Sequence, residues 1–265
     1  MRQPLAPAGG GPEVGVAFAI GFPKLRDRVA LRHRAGGLAV KLRGEIVGLW
    51  IAIVATGPAT AAGGAHAIDD AGVGTPGACH LEAWVTGHGG GRGLANLSPI
   101  CTLQDRERLE IGAGFQYLRD HPDDAVVGPA LKLNLIPNDN DVGLAVAAAA
   151  GWSVRRDRLE AASVIIPLSW SVGSRTEINV NAGWMYARGA RQRNDVTYGA
   201  QVNYSLGQHL ALMAEVVGRN HLRTGGQFGL RWNPGGGRID FDLLAGRFTD
   251  GASKSAVTLG VTVRR

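Results

Sequence analysis

The chain has 265 residues, 40 of them glycine, 12 proline and 2 cysteine, with 45% hydrophobic and 19% charged residues and a mean hydropathy of zero. These values exclude a disordered, collagen-like or disulfide-dense chain; glycine at about twice its average usage argues against a helical one, and no apolar run is long enough for an α-helical membrane bundle. The net charge of +6 is concentrated near the start, where Arg2, Lys24, Arg26, Arg28, Arg32, Arg34, Lys41 and Arg43 outnumber Glu13, Asp27 and Glu45; the remainder is close to balance and lacks the basicity of a nucleic-acid-binding domain.

Residues 1–39 show no clean hydrophobic period and are expected to be an extended leader, or a stretch upstream of a translation start at Leu38 or Val40. Residues 40–67 read as a secretory signal peptide. Lys41 and Arg43 precede the apolar run IVGLWIAIVATG at 46–57, and small-residue sites follow at Ala59-Thr60-Ala61 and Ala65-His66-Ala67. A charged start, a core of about a dozen apolar residues and an A-x-A site define such a segment, and the core is too short to cross a bilayer. The alternative is a buried strand or helix of a larger domain.

Residues 68–265 are expected to form the mature domain, and from about residue 76 to the end the pattern is period-two strands separated by turn residues. Twelve are expected, over 77–87, 93–101, 108–118, 126–136, 142–154, 163–172, 176–187, 196–206, 209–218, 226–233, 238–247 and 256–264. In the eighth, Val196, Tyr198, Ala200, Val202, Tyr204 and Leu206 share one face, and Thr197, Gly199, Gln201, Asn203 and Ser205 the other. In the seventh, Ile178, Val180, Ala182, Trp184 and Tyr186 oppose Glu177, Asn179, Asn181, Gly183 and Met185. Pro99 makes the second the least regular.

A soluble sandwich would turn the apolar faces inward; a transmembrane barrel turns them toward lipid and leaves a polar lumen. The second fits better. The polar faces are rich in Gly, Asn, Gln, Ser and single charges, and the aromatics of the apolar faces gather near strand ends. Phe115, Tyr117, Trp152, Trp184, Tyr186 and Tyr198 fall at the outer rim, and Trp170, Tyr204 and Trp232 at the inner rim. Amphipathic rings settle at the headgroup level in two such girdles. Short inner turns (137–141, 173–175, 207–208 and 234–237) are expected to alternate with longer, more charged outer loops (118–125, 155–162, 187–195, 219–225 and 248–255). The fold expected is an all-β, antiparallel up-and-down outer-membrane barrel of about twelve strands.

Cys79 and Cys101 are equidistant from the centre of the first hairpin loop, so they face each other on neighbouring strands. The periplasm is oxidising, which predicts a cross-strand disulfide; two free thiols are the alternative. Two cysteines without nearby paired histidines make no metal site, and no cofactor is expected.

The stretches PGACHLEAW at 76–84, SPICTL at 98–103 and LEIGAG at 109–114 resemble the outer-membrane barrel family labelled "MetA-pathway of phenol degradation". The resemblance implies a transporter of aromatic or hydrophobic compounds.

The lumen-facing charges are the candidate functional set: Glu82, Glu110, Lys132, Glu177, Glu215, Arg219, Arg231, Asp240 and Asp242. They either pair across a filled interior, as in a structural or adhesive barrel with a plugged lumen, or line a solute path whose selectivity they tune. Their acidic excess favours cations or neutral solutes over anions. The arginines at 92, 119, 155, 156, 158, 188, 191, 193, 219 and 223 would meet lipopolysaccharide phosphates at the outer leaflet. A rim-located hydrolase is the competing class, and His121 with Asp123 and Asp124 is its one candidate cluster. His66 falls in the segment expected to be removed.

Overall fold

A computed structural model describes residues 65–88, 91–119, 122–138, 141–188, 190, 193–220, 222–234, 237–247 and 255–265. Twelve antiparallel strands follow one another: β1 (Cys79–His88), β2 (Arg92–Thr102), β3 (Leu109–Arg119), β4 (Asp124–Ile136), β5 (Val142–Ser153), β6 (Arg158–Val172), β7 (Thr176–Ala187), β8 (Asn194–Ser205), β9 (Leu210–Arg219), β10 (Leu222–Trp232), β11 (Ile239–Arg247) and β12 (Ala256–Arg264). Each pairs with its neighbours in sequence, and β1 pairs with β12 to close the barrel. Closure satisfies every sheet edge, which hydrocarbon requires. The strands run from 9 residues in β11 to 15 in β6, enough for a tilted crossing of about 9–11 residues.

Burial is inverted relative to a soluble protein. Outward-pointing Val85, Leu131 and Leu259 are 53%, 50% and 56% exposed, whereas inward-pointing Asn179, Gln201 and Ser169 are 0%, 0% and 1% exposed. The apolar face therefore meets lipid and the polar face fills the tube. The aromatics fall on the outer surface as expected: Tyr117, Trp152, Trp170, Trp184, Tyr204 and Trp232 are all exposed, and Tyr186 is half-buried on the same face of β7. Two outer-rim rings turn a polar end to nearby acids. Tyr117 Oη donates to Asp123 Oδ2 at 2.6 Å, and Trp152 Nε1 to Asp157 Oδ1 at 3.2 Å. At the inner rim Trp232 stacks on Phe241 with centroids 5.6 Å apart.

Prolines interrupt the ladders in a regular way. Pro99, Pro129 and Pro167 each keep a partner on one side, Leu81, Ala113 and Asn181 respectively. On the other side the β2–β3, β4–β5 and β5–β6 pairings skip them. A proline has no N–H to give a ladder, so each turns its deficient edge to a gap. Beside Pro129 the chains approach so closely that a Cβ on Gly128 would collide with the Ala150 carbonyl.

One expectation is corrected. The outer connections 89–91, 120–123, 154–157, 188–193, 220–221 and 248–255 are, as a group, no longer than the inner ones 103–108, 137–141, 173–175, 206–209 and 233–238. β6 begins at Arg158 rather than 163, and β10 at Leu222 rather than 226. Charged residues that mark a loop in a soluble protein are accommodated here inside a strand when they face the lumen: Glu160 is buried at the start of β6, held by Arg156 at 2.7 Å and Arg158 at 3.4 Å.

Candidate functional site: the barrel lumen

The described residues just before β1 do not leave the barrel. Residues 65–75 fold into the lumen, where the inward charges hold them. Glu215 of β9 is the densest node. Its carboxylate lies 2.6 Å from His66 Nδ1, accepts the Ala67 N–H at 2.9 Å, and accepts from Gln201 Nε2 at 2.5 Å and Gln227 Nε2 at 2.7 Å. Arg231 of β10 forks onto Asp242 of β11 through Nε at 2.7 Å and Nη2 at 2.9 Å. The same Nη2 is 3.0 Å from His66 Nε2. The imidazole is thus clamped between β9 and the β10–β11 pair, its side chain 1% exposed.

A second clamp lies on the opposite wall. Lys132 Nζ of β4 donates to Asp69 Oδ1 at 2.9 Å and lies 3.3 Å from Asp70 Oδ1. Asn134 Nδ2 donates to the Ala71 carbonyl at 2.6 Å, and the Ala71 N–H donates to Ser169 Oγ at 2.8 Å. With its amide nitrogen facing the Asp69 carbonyl, Asn181 donates to that oxygen at 2.8 Å and accepts the Asp69 N–H at 2.7 Å. Glu110 of β3 accepts the Gly74 N–H at 2.6 Å and sits opposite Lys132 in the ladder. Ile68 is 1% exposed against β8, where a Cβ on Gly199 would collide with its Cδ1.

Eight of the expected lumen residues are held by contacts inside the tube. Glu215, Arg231 and Asp242 form the His66 clamp, and Lys132 with Glu110 the Asp69–Asp70 clamp. Glu177 accepts from Asn179 Nδ2 at 2.9 Å and Asn203 Nδ2 at 3.4 Å in an amide ladder across β7 and β8. Asp240 is held at the inner rim by Asn233 Nδ2 at 2.7 Å and Arg264 Nη2 at 2.7 Å. Glu82 stands apart, with His80 Nε2 3.4 Å away.

The lumen wall is unequal around its circumference. Inward positions of β7–β11 carry Asn181, Gln201, Glu215, Arg231 and Asp242, long enough to reach the inserted segment. Inward positions of β3–β5 include Glu110, Lys132 and Asn134, which reach it, but also Gly112, Gly114, Gly128, Ala130, Ala147, Ala149 and Gly151, which are too short. The space they leave forms two cavities. One, of about 280 Å³, is lined by His66, Asp69, His80, Glu82, Glu110 and Lys132 with the small residues of β3–β6. The other, of about 250 Å³ toward the outer rim, is lined by Glu82, Trp84, Asn96, Gln116, Val126 and Met185. Both touch Glu82, Ile100, Ala130, Ala149 and Ser163, so they adjoin.

Cys79 and Cys101 lie directly opposite on β1 and β2 and are joined by a disulfide. Among the described residues no group of His, Cys, Asp and Glu is arranged to hold a metal ion. His121, Arg191 and the Arg223 side chain lie outside the described residues. Asp123 accepts from Tyr117, and Asp124 from Ser153 Oγ at 2.7 Å. Sequence reasoning missed His66, Asp69 and Asp70 as lumen residues, because it ended the exported leader at 67 and assigned no lumen residue ahead of the first strand. The signal was present in Asp69-Asp70, an acidic pair with no place in a lipid-facing strand. Trp84 was also missed: it alternates with Leu81 and Val85 and so points inward.

The closed strand order, outward apolar face and polar interior define an outer-membrane β-barrel of the porin and channel fold. Solved structures agree. The KdgM porin in complex with disordered oligogalacturonate aligns with a TM-score of 0.56 at 5% identity, covering 69% of this chain and 98% of that one. The NanC porin aligns at 0.52 and 12% identity over 70% and 98%. The COG4313 outer membrane channel from Pseudomonas putida F1 aligns at 0.51 and 11% identity over 74% and 98%. Residues 50–265 match the family described as "uncharacterised conserved protein UCP029691", and the chain belongs to it. No curated protein matches the sequence.

Proposed function

We propose that this outer-membrane barrel is a passive channel for small hydrophobic or aromatic compounds, narrowed from within by its own segment 65–75. The observation that carries the reading is the pair of adjoining cavities beside that segment, along the small-residue wall of β3–β6. A lumen built only as a filled core would place large side chains there, as β7–β11 do. A cavity on the order of 150 Å³ holds a benzene ring, so each of these, at about 280 and 250 Å³, has room for a single-ring compound. The resemblance of residues 76–114 to the phenol-degradation barrels points to the same solutes.

The test is conductance of the processed protein in planar bilayers, with liposome swelling beside it. Discrete small-conductance openings are expected, and deletion of residues 65–72 should enlarge them severalfold by removing the insert. A silent wild type that opens only on deletion supports the second reading, a structural or adhesive barrel with a plugged lumen, which the two clamps favour. The proposed role is not enzymatic. Loss of a lipid- or peptide-cleaving activity in His121→Ala would overturn that. Exposed Arg155 and Arg193 at the outer rim are proposed to meet lipopolysaccharide phosphates, while Arg156 and Arg158 are turned to Glu160 instead.

A further inference from the structure

We infer that the outer lumen cavity binds a small organic cation, an ammonium group on an apolar, ring-sized body; this rests on the channel reading above and narrows its solute class. Three features of the cavity lead there. Its body is apolar: Trp84, Met185 and Val126 stand against a wall of Ala149, Gly151 and Ala161. An indole face attracts a cation as well as an apolar ring, so one surface serves both parts of such a ligand.

The buried polar atoms of this cavity that lack a hydrogen-bond partner are acceptors. Glu82, with its side chain 5% exposed, has His80 Nε2 as an ionic neighbour at 3.4 Å, beyond ordinary hydrogen-bond length. The side-chain carbonyl oxygens of Asn96 and Gln116, which face each other across the β2–β3 ladder on the same wall, accept no hydrogen bond. A buried acceptor without a donor is costly, and an ammonium brings three donors. An ionised carboxylate ligand brings none and would leave all three acceptors unmet.

The field has the same sign. The adjoining cavity contributes Glu110, and its Lys132 is one ammonium set against two carboxylates, Asp69 and Asp70, which leaves that trio net negative. His80 and His66 are the other basic side chains there, and His66 is clamped by Glu215. Carboxylates in a narrow low-dielectric tube concentrate cations and repel anions. Glu82 lies where the two cavities meet, so a cation moving along the wall passes from the Trp84 site to the carboxylates below.

Benzylammonium, benzyl alcohol and benzoate share one ring and differ in the head group, and they are the probes. In planar bilayers carrying the processed full-length barrel, benzylammonium added on the outer side should block the potassium current at a concentration about tenfold or more below benzyl alcohol, the margin of a charge-assisted hydrogen bond. Benzoate should have no effect. Glu82→Gln should erase the difference between benzylammonium and benzyl alcohol, and Trp84→Ala should weaken both. Folding of each variant is checked by its heat-dependent gel shift, and Glu82→Asp, which keeps the charge, should retain the benzylammonium preference if Glu82→Gln does not fold. Equal block by benzoate, or an undiminished amine preference in Glu82→Gln, overturns the inference. Absence of any current in the wild type overturns the channel reading instead. Calorimetric titration of the detergent-solubilised barrel with the three probes then decides the site: benzylammonium binding above the other two sustains it, and no difference among them ends it.

Discussion

Lys132 shows what the inserted segment demands of a single residue. Its ammonium is placed among Asp69, Asp70 and Glu110, and it is buried. Removing one partner of a buried ion pair strands the other's charge at a cost of about 3–5 kcal/mol. Lys132→Met should therefore lower the unfolding midpoint in urea by a corresponding amount and also free the segment, read as faster protease cleavage between 65 and 75 in the folded barrel. His66 is held by different strands, so His66→Ala should loosen the same segment while leaving the Lys132 clamp intact, and the double variant should approach the deletion in conductance. Glu215 and Asp242 were legible as inward charges from strand alternation alone. Their partner His66 was not, because alternation describes strands and His66 lies on none.

Among the elements, the β1–β2 hairpin and the segment preceding it carry the strongest local constraints. The Cys79–Cys101 bridge closes a loop of sequence separation 22 where the barrel seam begins. A loop of that size is worth about 3 kcal/mol by restricting the unfolded chain, so replacing both cysteines by serine should destabilise the barrel by that order and slow its refolding into vesicles. The inserted segment sets a condition on export. A cut after Ala67 would discard His66 and the Ala67 N–H that Glu215 accepts; a cut after Ala61 would keep both. Mass measurement of the exported protein is expected to give a first residue upstream of His66, and a first residue at Ile68 would mean that the His66 clamp does not exist in the membrane. The strands themselves were readable to within a few residues because inward and outward environments differ so strongly. The exceptions are β6, where the inward Glu160 imitates a loop charge, and β10, whose start holds Arg223 and the Gly225-Gly226 pair in sequence. The expected loop asymmetry failed for the same reason.

At the scale of the whole molecule, stability depends on which solvent surrounds the barrel. Exposed Leu81, Leu131, Leu243 and Leu259 would be an aggregation hazard in water, and in hydrocarbon they are the favourable face. The interior is the reverse, an amide and carboxylate network that hydrocarbon could not satisfy. A charge on the outer face is therefore far more costly than a similar change on a soluble protein's surface, and its cost must depend on depth. Leu243 sits at the middle of β11, 48% exposed, with Asp242 and Leu244 turned to the lumen on either side of it. Leu243→Arg should cost about 2–4 kcal/mol of folding free energy in bilayers, as arginine does near the midplane of a transmembrane barrel. The same change at Val257, close to the outer end of β12 and 54% exposed, should cost about 0–1 kcal/mol, because the side chain reaches the interface. The pair is compared by urea titration in vesicles of one composition. Equal costs at the two positions would mean that the greasy surface is not ordered by membrane depth, and the outward assignment of the apolar faces would fail with it.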